Sequence, residues 1–296
     1  MRRAVKKPLR IFCPSKINLF LEVLGRRPDG YHELATVMTP VDLGDMLEVR
    51  EARRFSLEVE GAVLPGFNTV EKAWRAVRRR RRIPGVRARL VKRTPAGSGL
   101  GGGSSDAAAM IAALDRLFDL GLDRAEVGAE IGSDVNFFLQ GGPALCTGRG
   151  ERVHPLRPAR SLHLVLAWPG FSLSTPAVYR ALRRHLTPRT ENVTDFLNIY
   201  DRGALGHLGG ALFNRLEPAA FDLHPELGTA LRRLSRLPFA GARMTGSGSA
   251  LYGLCASANE ARQLARRVRG LWDVFVVPSC SKLREEPWRS PRSASS

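Results

Sequence analysis

Cysteine is scarce in this chain. The four cysteines, Cys13, Cys146, Cys255 and Cys280, are scattered, and no two have metal-ligand or redox spacing. That argues against a disulfide framework or a zinc site and for plain packing in a reducing compartment. Long apolar runs are missing too, and none reaches the length of a membrane-spanning helix. The basic start Met1-Arg-Arg-Ala-Val-Lys-Lys is not followed by an apolar signal region, because Lys16 and Asn18 interrupt the only candidate. A cytoplasmic location is expected, with no membrane partner. No internal repeat occurs. Acidic residues are few, 28 against 46 Lys and Arg, leaving a net charge of +18. Aromatic residues make up only 7%, and none interleaves the arginine run from Arg78 to Arg82. A nucleic-acid stripe would carry stacking residues. The run therefore reads as a solvated face, and nucleic acid is not expected as a partner. A positive field would also favour a phosphorylated substrate.

Glycine, by contrast, is concentrated. Five glycines fall in the seven residues from Gly97 to Gly103, inside Pro95-Ala-Gly-Ser-Gly-Leu-Gly-Gly-Gly-Ser-Ser105. Without a Cβ the backbone takes positive φ and approaches a ligand closely. Val86 to Val91 before the loop partly alternates like a strand. Ala107, Met110, Ile111, Leu114, Leu117 and Phe118 after it recur at helical spacing, with Ser104, Ser105 and Asp106 as candidate N-caps. Strand, glycine loop and helix together make an anion site, since free N–H groups and the helix dipole converge there. A flexible linker would not feed so strong a helix. A dinucleotide fingerprint is matched by Gly97, Gly99 and Gly102. It would want an early βαβ unit and an acidic residue at the next strand tip. A nucleoside-triphosphate loop is the third reading, though not of the Walker A type, because no Lys-Ser or Lys-Thr follows the glycines.

The chain length of 296 residues and 44% hydrophobic content allow two modest domains with real cores. Ile11–Leu24, Leu47–Val49 and Phe55–Val59 read as strands, with a turn at Pro28-Asp-Gly30. Asn68 caps a helix expected to run to Arg82. A short helix starts near Gly132, Gly148-Arg-Gly150 is a turn, and Leu162–Trp168 is a buried strand. Helices follow over about 176–186, 204–216 and 224–236 by periodicity. The turn Thr245-Gly-Ser-Gly248, strand Ala250–Leu254, helix Asn259–Val268 and strand Val274–Val277 then suggest a second α+β unit. The expected division is a first domain over 1–165, a second over 166–285 and a disordered tail over 286–296.

Phosphoryl transfer needs positioning, charge neutralisation and a carboxylate to accept the hydroxyl proton. Asp134 follows a Gly-Ser turn and precedes an apolar pair, so it either projects into a cleft or simply caps a helix. Lys16 lies in an otherwise apolar strand, a costly place for an ammonium without a partner. Facing Asp134, each would favour the other's charged form; on an edge strand Lys16 would merely be exposed. Tyr31-His32 after the tight turn could stack on and hydrogen-bond a base, or be a hairpin pair. Tyr179 could be a second stacking face, or core.

Taken together these stretches resemble the GHMP kinases. The loop from Pro95 to Ser105 resembles that family's phosphate loop, and Thr245-Gly-Ser-Gly248 its third motif. Pro14-Ser-Lys-Ile-Asn-Leu-Phe-Leu21, Arg27-Pro-Asp-Gly-Tyr-His-Glu-Leu34 and Gly132-Ser-Asp-Val-Asn-Phe-Phe138 resemble signatures of the branch that acts on a cytidine-diphosphate-linked polyol. The resemblance covers about residues 10–278. It implies an α/β, two-domain GHMP kinase fold: an N-terminal domain like ribosomal protein S5 domain 2 and a ferredoxin-like C-terminal domain. It implies ATP as phosphoryl donor with magnesium, a small-molecule cytidine diphosphate substrate, and a monomer or homodimer. Lys16 and Asp134 match the catalytic pair. Pro95, Ala96, Gly97, Ser98, Gly99, Leu100, Gly101, Gly102, Gly103, Ser104 and Ser105, with Asn68 and Lys92, match the ATP site. Asn18, Tyr31, His32, Thr175 and Tyr179 match the substrate site. No residue is assigned as a metal ligand. The departures are Ala96 for a usual methionine, Asn136 for proline, Asp106 where asparagine is common and Arg180 for lysine. A carboxylate at Asp106 repels phosphates unless it caps the helix or faces magnesium.

Overall fold

Two long strands, β1 (Leu9–Arg26) and β2 (His32–Ala52), pair antiparallel along nearly their whole length around the turn that ends at Gly30. Gly30 has φ +85°, which that turn requires and glycine supplies without strain. The computed structural model describes residues 7–61, 68–158, 161–182, 191–202, 205–270, 272–280 and 282–286. Within β2 only Leu47–Val49, near its far end, carries a strand signal in the sequence. Its middle is buried on both faces, so it lacks the alternation of a half-exposed strand, and Pro40 lowers its apparent propensity further.

β2 serves different neighbours at its two ends. Met46–Ala52 pairs with β4 (Gly85–Val91), which pairs parallel with β3 (Ser56–Glu60). Leu34–Met38 pairs with β5 (Ala144–Gly148), which pairs with β6 (Arg152–Pro155). Helices α1 (Thr69–Arg80), α2 (Gly102–Phe118), α3 (Arg124–Ile131) and α4 (Val135–Gln140) belong to this half. Val70 and Val77 of α1, Met110 and Leu114 of α2 and Phe137 of α4 pack with Leu47, Val86 and Leu90 of the sheet. Each such burial stabilises by about 1.5–3 kcal/mol, which fixes where α2, and hence the loop before it, must lie.

The second half opens with β7 (His163–Trp168). Next come α5 (Thr175–Ala181), α6 (Val193–Arg202), α7 (Leu205–Ala211), β8 (Phe213–Asn214), α8 (Glu217–Leu223) and α9 (Pro225–Ser235). The chain ends with β9 (Gly241–Met244), β10 (Leu251–Cys255), α10 (Ala258–Val268), β11 (Asp273–Pro278) and β12 (Arg284–Glu285). The four main strands form an antiparallel sheet in the order β11-β7-β10-β9. With helices between β7 and β9 and between β10 and β11, this is the ferredoxin-like βαββαβ pattern. β8 and β12 leave that sheet and pair with β1, so the second half is tied back to the first at two points.

Some expectations need correction. The helix expected over 204–216 is two segments, because the chain extends at Phe213–Asn214 to pair with Phe20 and Leu21 of β1. Tertiary pairing overrides a helical period there. The helix expected over 176–186 is helical through Ala181, and residues 183–186 fall outside the described residues. Ser104, Ser105 and Asp106 are not N-caps: α2 opens earlier, at Gly102, with Gly101 in the left-handed region as the cap. Helix α1 stops at Arg80, and Arg81 is its cap. Its arginines face solvent and neighbours, with Arg79 and Arg80 paired to Glu130, Arg80 also to Glu126, and Arg78 over the Trp74 ring. Of the tail expected over 286–296, residues 287–296 lie outside the described residues.

Candidate active site

The loop after β4 and the N-terminus of α2 form one wall of a cleft of about 920 Å³. Gly97, Gly99 and Gly101 have φ of +62°, +81° and +76°. The loop carbonyls are held by neighbouring segments: those of Ala96, Gly97, Ser98 and Leu100 accept from Ser172 Oγ, Leu173 N, Ala250 N and Lys16 N at 2.7–3.1 Å. Ser104 N and Ser105 N give the first helical bonds of α2, to the Gly101 carbonyl at 3.0 and 3.1 Å, so the N–H groups of Gly102 and Gly103 ahead of them, at the positive end of the dipole, are the donors an anion meets. Glycine also has a second cause here. A Cβ on Gly99 would lie 2.3 Å from the Thr245 carbonyl oxygen, so the turn Thr245–Gly248 packs against the loop only because Gly99 lacks one.

Lys16 enters the cleft from the middle of β1. The register of β1 against β2 slips at Pro14/Ser15 and again between Asn18 and Phe20, and such irregularities re-aim side chains. Lys16 and Asn18, two apart, share one face, and the lysine Nζ donates to Asn18 Oδ1 at 2.6 Å. Nζ lies 3.9 Å from Asp134 Oδ2. Lys16 is 3% exposed, and burial pulls its ammonium pKa below the usual lysine range against the opposing pull of Asp134. Asp134 precedes α4 in the cap position, yet its side chain makes no capping bond. The carboxylate is therefore directed to the cleft, which it lines together with Lys16.

The cleft continues to a second group of residues at the ends of β1 and β2 and on α5. Tyr31, His32, Thr175 and Tyr179 all line it. The His32 and Tyr179 rings lie 5.0 Å apart, tilted by 31°. Tyr31 is 53% exposed, and the Arg149 guanidinium sits 4.7 Å from its ring centre. Thr175 Oγ1 lies 2.7 Å from Ser247 Oγ. The mixture of apolar ring faces and arginines, Arg26, Arg149 and Arg180, suits a ligand with an aromatic base and negative charge.

Comparison with known proteins bears on the family and the fold. A model of the GHMP kinase N-terminal domain matches residues 68–142, and a model of the GHMP kinase C-terminal domain matches residues 198–274. The chain is 42% identical over 272 residues to a 4-diphosphocytidyl-2-C-methyl-D-erythritol kinase of Pelotomaculum thermopropionicum, covering 89% of this chain and 94% of that one.

The chain belongs to the GHMP kinase family.

A second relative of the same name, from Carboxydothermus hydrogenoformans, is 37% identical across 92% of this GHMP kinase and 99% of its own length. A crystal structure of a 4-(cytidine 5'-diphospho)-2C-methyl-D-erythritol kinase superposes with a TM-score of 0.80 at 36% identity, covering 92% of this chain and 99% of that one. The expected two-domain GHMP kinase fold is thus the observed one.

In this GHMP kinase the loop residues Pro95–Ser104 all line the cleft, whereas Ser105 is fully buried and stands outside that lining. Asn68 caps α1 with its oxygen, accepting from Val70 N at 2.8 Å, and its buried Nδ2 has no hydrogen-bond partner among the described residues. Lys92 is not a free cation. Its ammonium bonds Asp106 Oδ2 at 2.7 Å and also Asp45 Oδ2. Asp45 Oδ1 accepts from Arg93 N and Thr94 N at 2.6 and 2.8 Å. Burial, with Asp45 adding and Lys92 opposing, pushes the Asp106 carboxyl up to about 8. Asp106 Oδ1 is buried without a partner. Sequence reading missed Asp45, which carries no local motif, and Arg149, which looks like a turn residue between two glycines. Among the described residues no group of three or more His, Cys, Asp or Glu could hold an ion.

Proposed function

We propose that this GHMP kinase transfers the γ-phosphoryl group of ATP to the 2-hydroxyl of 4-diphosphocytidyl-2-C-methyl-D-erythritol, giving the 2-phosphate and ADP in non-mevalonate isoprenoid biosynthesis. The observation that carries it is one cleft holding three things at once: the glycine loop, the Lys16–Asp134 pair and the Tyr31, His32, Tyr179 group. The names of relatives at 37–42% identity support the same reading.

In this reading the start of α2 and the loop from Pro95 to Ser104 bind the ATP phosphates, and Asn68 Nδ2 donates to the nucleotide. Asp134 takes the hydroxyl proton as that oxygen attacks, and Lys16 offsets charge on the transferred group. Tyr31 and Tyr179 hold the cytosine between them, and His32 reads its edge. Thr175 lies beside the substrate. Magnesium supplies charge neutralisation on the phosphates when bound, and it is usually held by one or two carboxylates plus phosphate oxygens. Asp106 Oδ1, buried and without a partner on the cleft wall, fits that need. Lys92 then acts by holding Asp106 in place. We place the protein in the cytoplasm as a monomer or homodimer, and we place the domain boundary between β6 and β7, a few residues before 165.

A coupled assay of ADP release tests the reading. Turnover with the cytidyl substrate and none with homoserine, mevalonate or galactose is expected. Turnover with one of those three instead would move the chain to another branch of the family.

A further inference from the structure

The turn Thr245–Gly248 belongs to the second half of the chain, yet it touches the lysine of the first. Thr245 lies between β9 and β10 and is fully buried. Its hydroxyl accepts from Asn18 N at 3.1 Å and donates to Asn18 Oδ1 at 3.2 Å. That same Oδ1 accepts from Lys16 Nζ at 2.6 Å. An amide oxygen has two lone pairs, and both are used. The amide cannot turn over, because Asn18 Nδ2 donates to Thr36 Oγ1 at 2.8 Å, whose own proton goes to the Phe20 carbonyl at 2.7 Å. The Asn18 carbonyl is held as well, by Tyr252 OH of β10 at 2.9 Å.

We infer that Thr245 is a positioning residue for Lys16, acting through Asn18 across the contact between the two halves. This rests on the role given above to Lys16. With its Oδ1 fully engaged, Asn18 acts on the cleft through that oxygen by aiming the ammonium. An ammonium has three N–H donors, and fixing one on Asn18 directs the other two. The turn also closes on the ammonium, since a Cβ on Gly246 would lie 3.1 Å from Lys16 Nζ. Any shift of β9 and β10 against β1 therefore moves the catalytic lysine.

The ionisable groups acting on Lys16 are Asp134 before α4 and Cys146 on β5, and burial pushes the Cys146 thiol up so that it stays neutral. The other neighbours, Leu100, Gly101 and Gly246, carry no charge. A change at Thr245 leaves all of these in place. It removes a donor that locks the acceptor of the ammonium. The freed amide turns away from the ammonium, which loses its 2.6 Å bond, and the charged form of Lys16 is then less favoured, so its pKa falls.

The test uses the full-length enzyme with ATP and the cytidyl substrate. Lys16→Met comes first. If it keeps its kcat, the role of Lys16 fails and the present inference falls with it. If it is inactive, Thr245→Val decides. The expected result is a kcat lower by about 10–100-fold, with KM for both substrates within about threefold and the alkaline limb of the kcat profile moved to lower pH. Thr245→Ser should restore both rate and limb. A Thr245→Val enzyme with wild-type kcat, or one whose loss comes without a moved limb, overturns the inference. Should Thr245→Val fail to fold, Asn18→Asp carries the test. A carboxylate at that position favours the ammonium and moves the alkaline limb to higher pH, and an unmoved limb overturns the inference.

Discussion

Lys16 Nζ and Asp134 Oδ2 lie 3.9 Å apart, brought together from the middle of β1 and the start of α4. The distance is longer than a hydrogen bond. Lys16 instead gives its short bond to Asn18, and Asp134 makes no helix-capping bond. The carboxylate is thus held near the ammonium without being tied to it. That arrangement leaves an acceptor for a third group, and a hydroxyl placed between them meets both a proton acceptor and a positive charge.

The first prediction concerns this pair. Asp134→Asn keeps the shape and removes the basic site, so ATP and the cytidyl substrate should bind nearly as before. A general base typically contributes about 10²–10⁴-fold, and kcat should fall by about that factor. Lys16→Met should lower kcat as well, and the double variant should lose less than the product of the single losses, because the two act on one transition state. Steady-state kinetics on the three variants check this. Near-normal kcat in Asp134→Asn would show that the reaction proceeds without this carboxylate.

The second prediction separates ligand approach from folding at the loop. Gly101→Val is a blunt probe, because a Cβ there meets Lys16 and Phe138 at 3.1 Å in a left-handed backbone. Gly103 is cleaner. It lies in the first turn of α2, and its nearest atom to an added Cβ is Thr69 Oγ1 at 3.5 Å, an ordinary contact. Gly103→Ala should stabilise the nucleotide-free protein, by up to about 1 kcal/mol, since alanine loses less backbone entropy in a helix. Gly103 lines the cleft, so the added methyl should lower ATP affinity. Thermal unfolding and calorimetric titration with ATP are expected to move in opposite directions. Unchanged affinity in the stabilised variant would remove the phosphates from this part of the loop.

Much of the site was legible in the sequence because its residues sit in short, unusual local settings. A lysine in an apolar strand, five glycines before a helix and an aspartate after Gly-Ser each stand out without knowledge of the fold. What was not legible depends on long-range pairing. Asp45 has no signal of its own, and its meaning comes from Lys92 of the neighbouring strand edge and Asp106 of α2. Thr245 appeared only as the first residue of a glycine turn; its bonds to Asn18 cross between the two sheets. The same holds for the fold. The ends of β2 read as strand or turn, but its doubly buried middle has no period to read. Phe213–Asn214 has helical neighbours and extends only because β1 offers a free edge there.

The third prediction concerns pH and stability. The Asp106 carboxyl is pushed up to about 8, first by burial and then by Asp45, with Lys92 opposing. An unfolded aspartate titrates near 3.9, so the folded state binds the extra proton between the two values. The stability that proton confers is fully present below the unfolded value and is lost as pH rises through about 8. Thermal midpoints of the metal-free, nucleotide-free protein should therefore fall between pH 6 and pH 9. In Asp106→Asn the amide cannot ionise, Lys92 keeps Asp45, and the slope should flatten. Equal slopes in the two proteins would mean that Asp106 is already ionised at neutral pH.

The fourth prediction concerns which substrate the cleft accepts. His32 and Tyr179 lie against each other at 5.0 Å, while the Arg149 guanidinium sits over one face of the Tyr31 ring. A cytosine that stacks on that face would take the place of the guanidinium, and one that stacks on the other face would leave it there; either way a cation stands beside the diphosphate. His32 then presents its ring to the edge of the base. His32→Ala removes the edge contact and leaves a buried partner unpaired, a loss of about 1–3 kcal/mol, or roughly 5–150-fold in KM for the cytidyl substrate. KM for ATP, which is proposed to bind at the loop end of the same cleft, should stay within about twofold. Arg149→Ala should weaken cytidine diphosphate more than cytidine, because it removes a charge and leaves the stacking faces intact. Initial-rate kinetics with each substrate varied, together with inhibition by cytidine and by cytidine diphosphate, check both variants. If His32→Ala raises both KM values equally, His32 supports the cleft as a whole, and the base must be read by other groups.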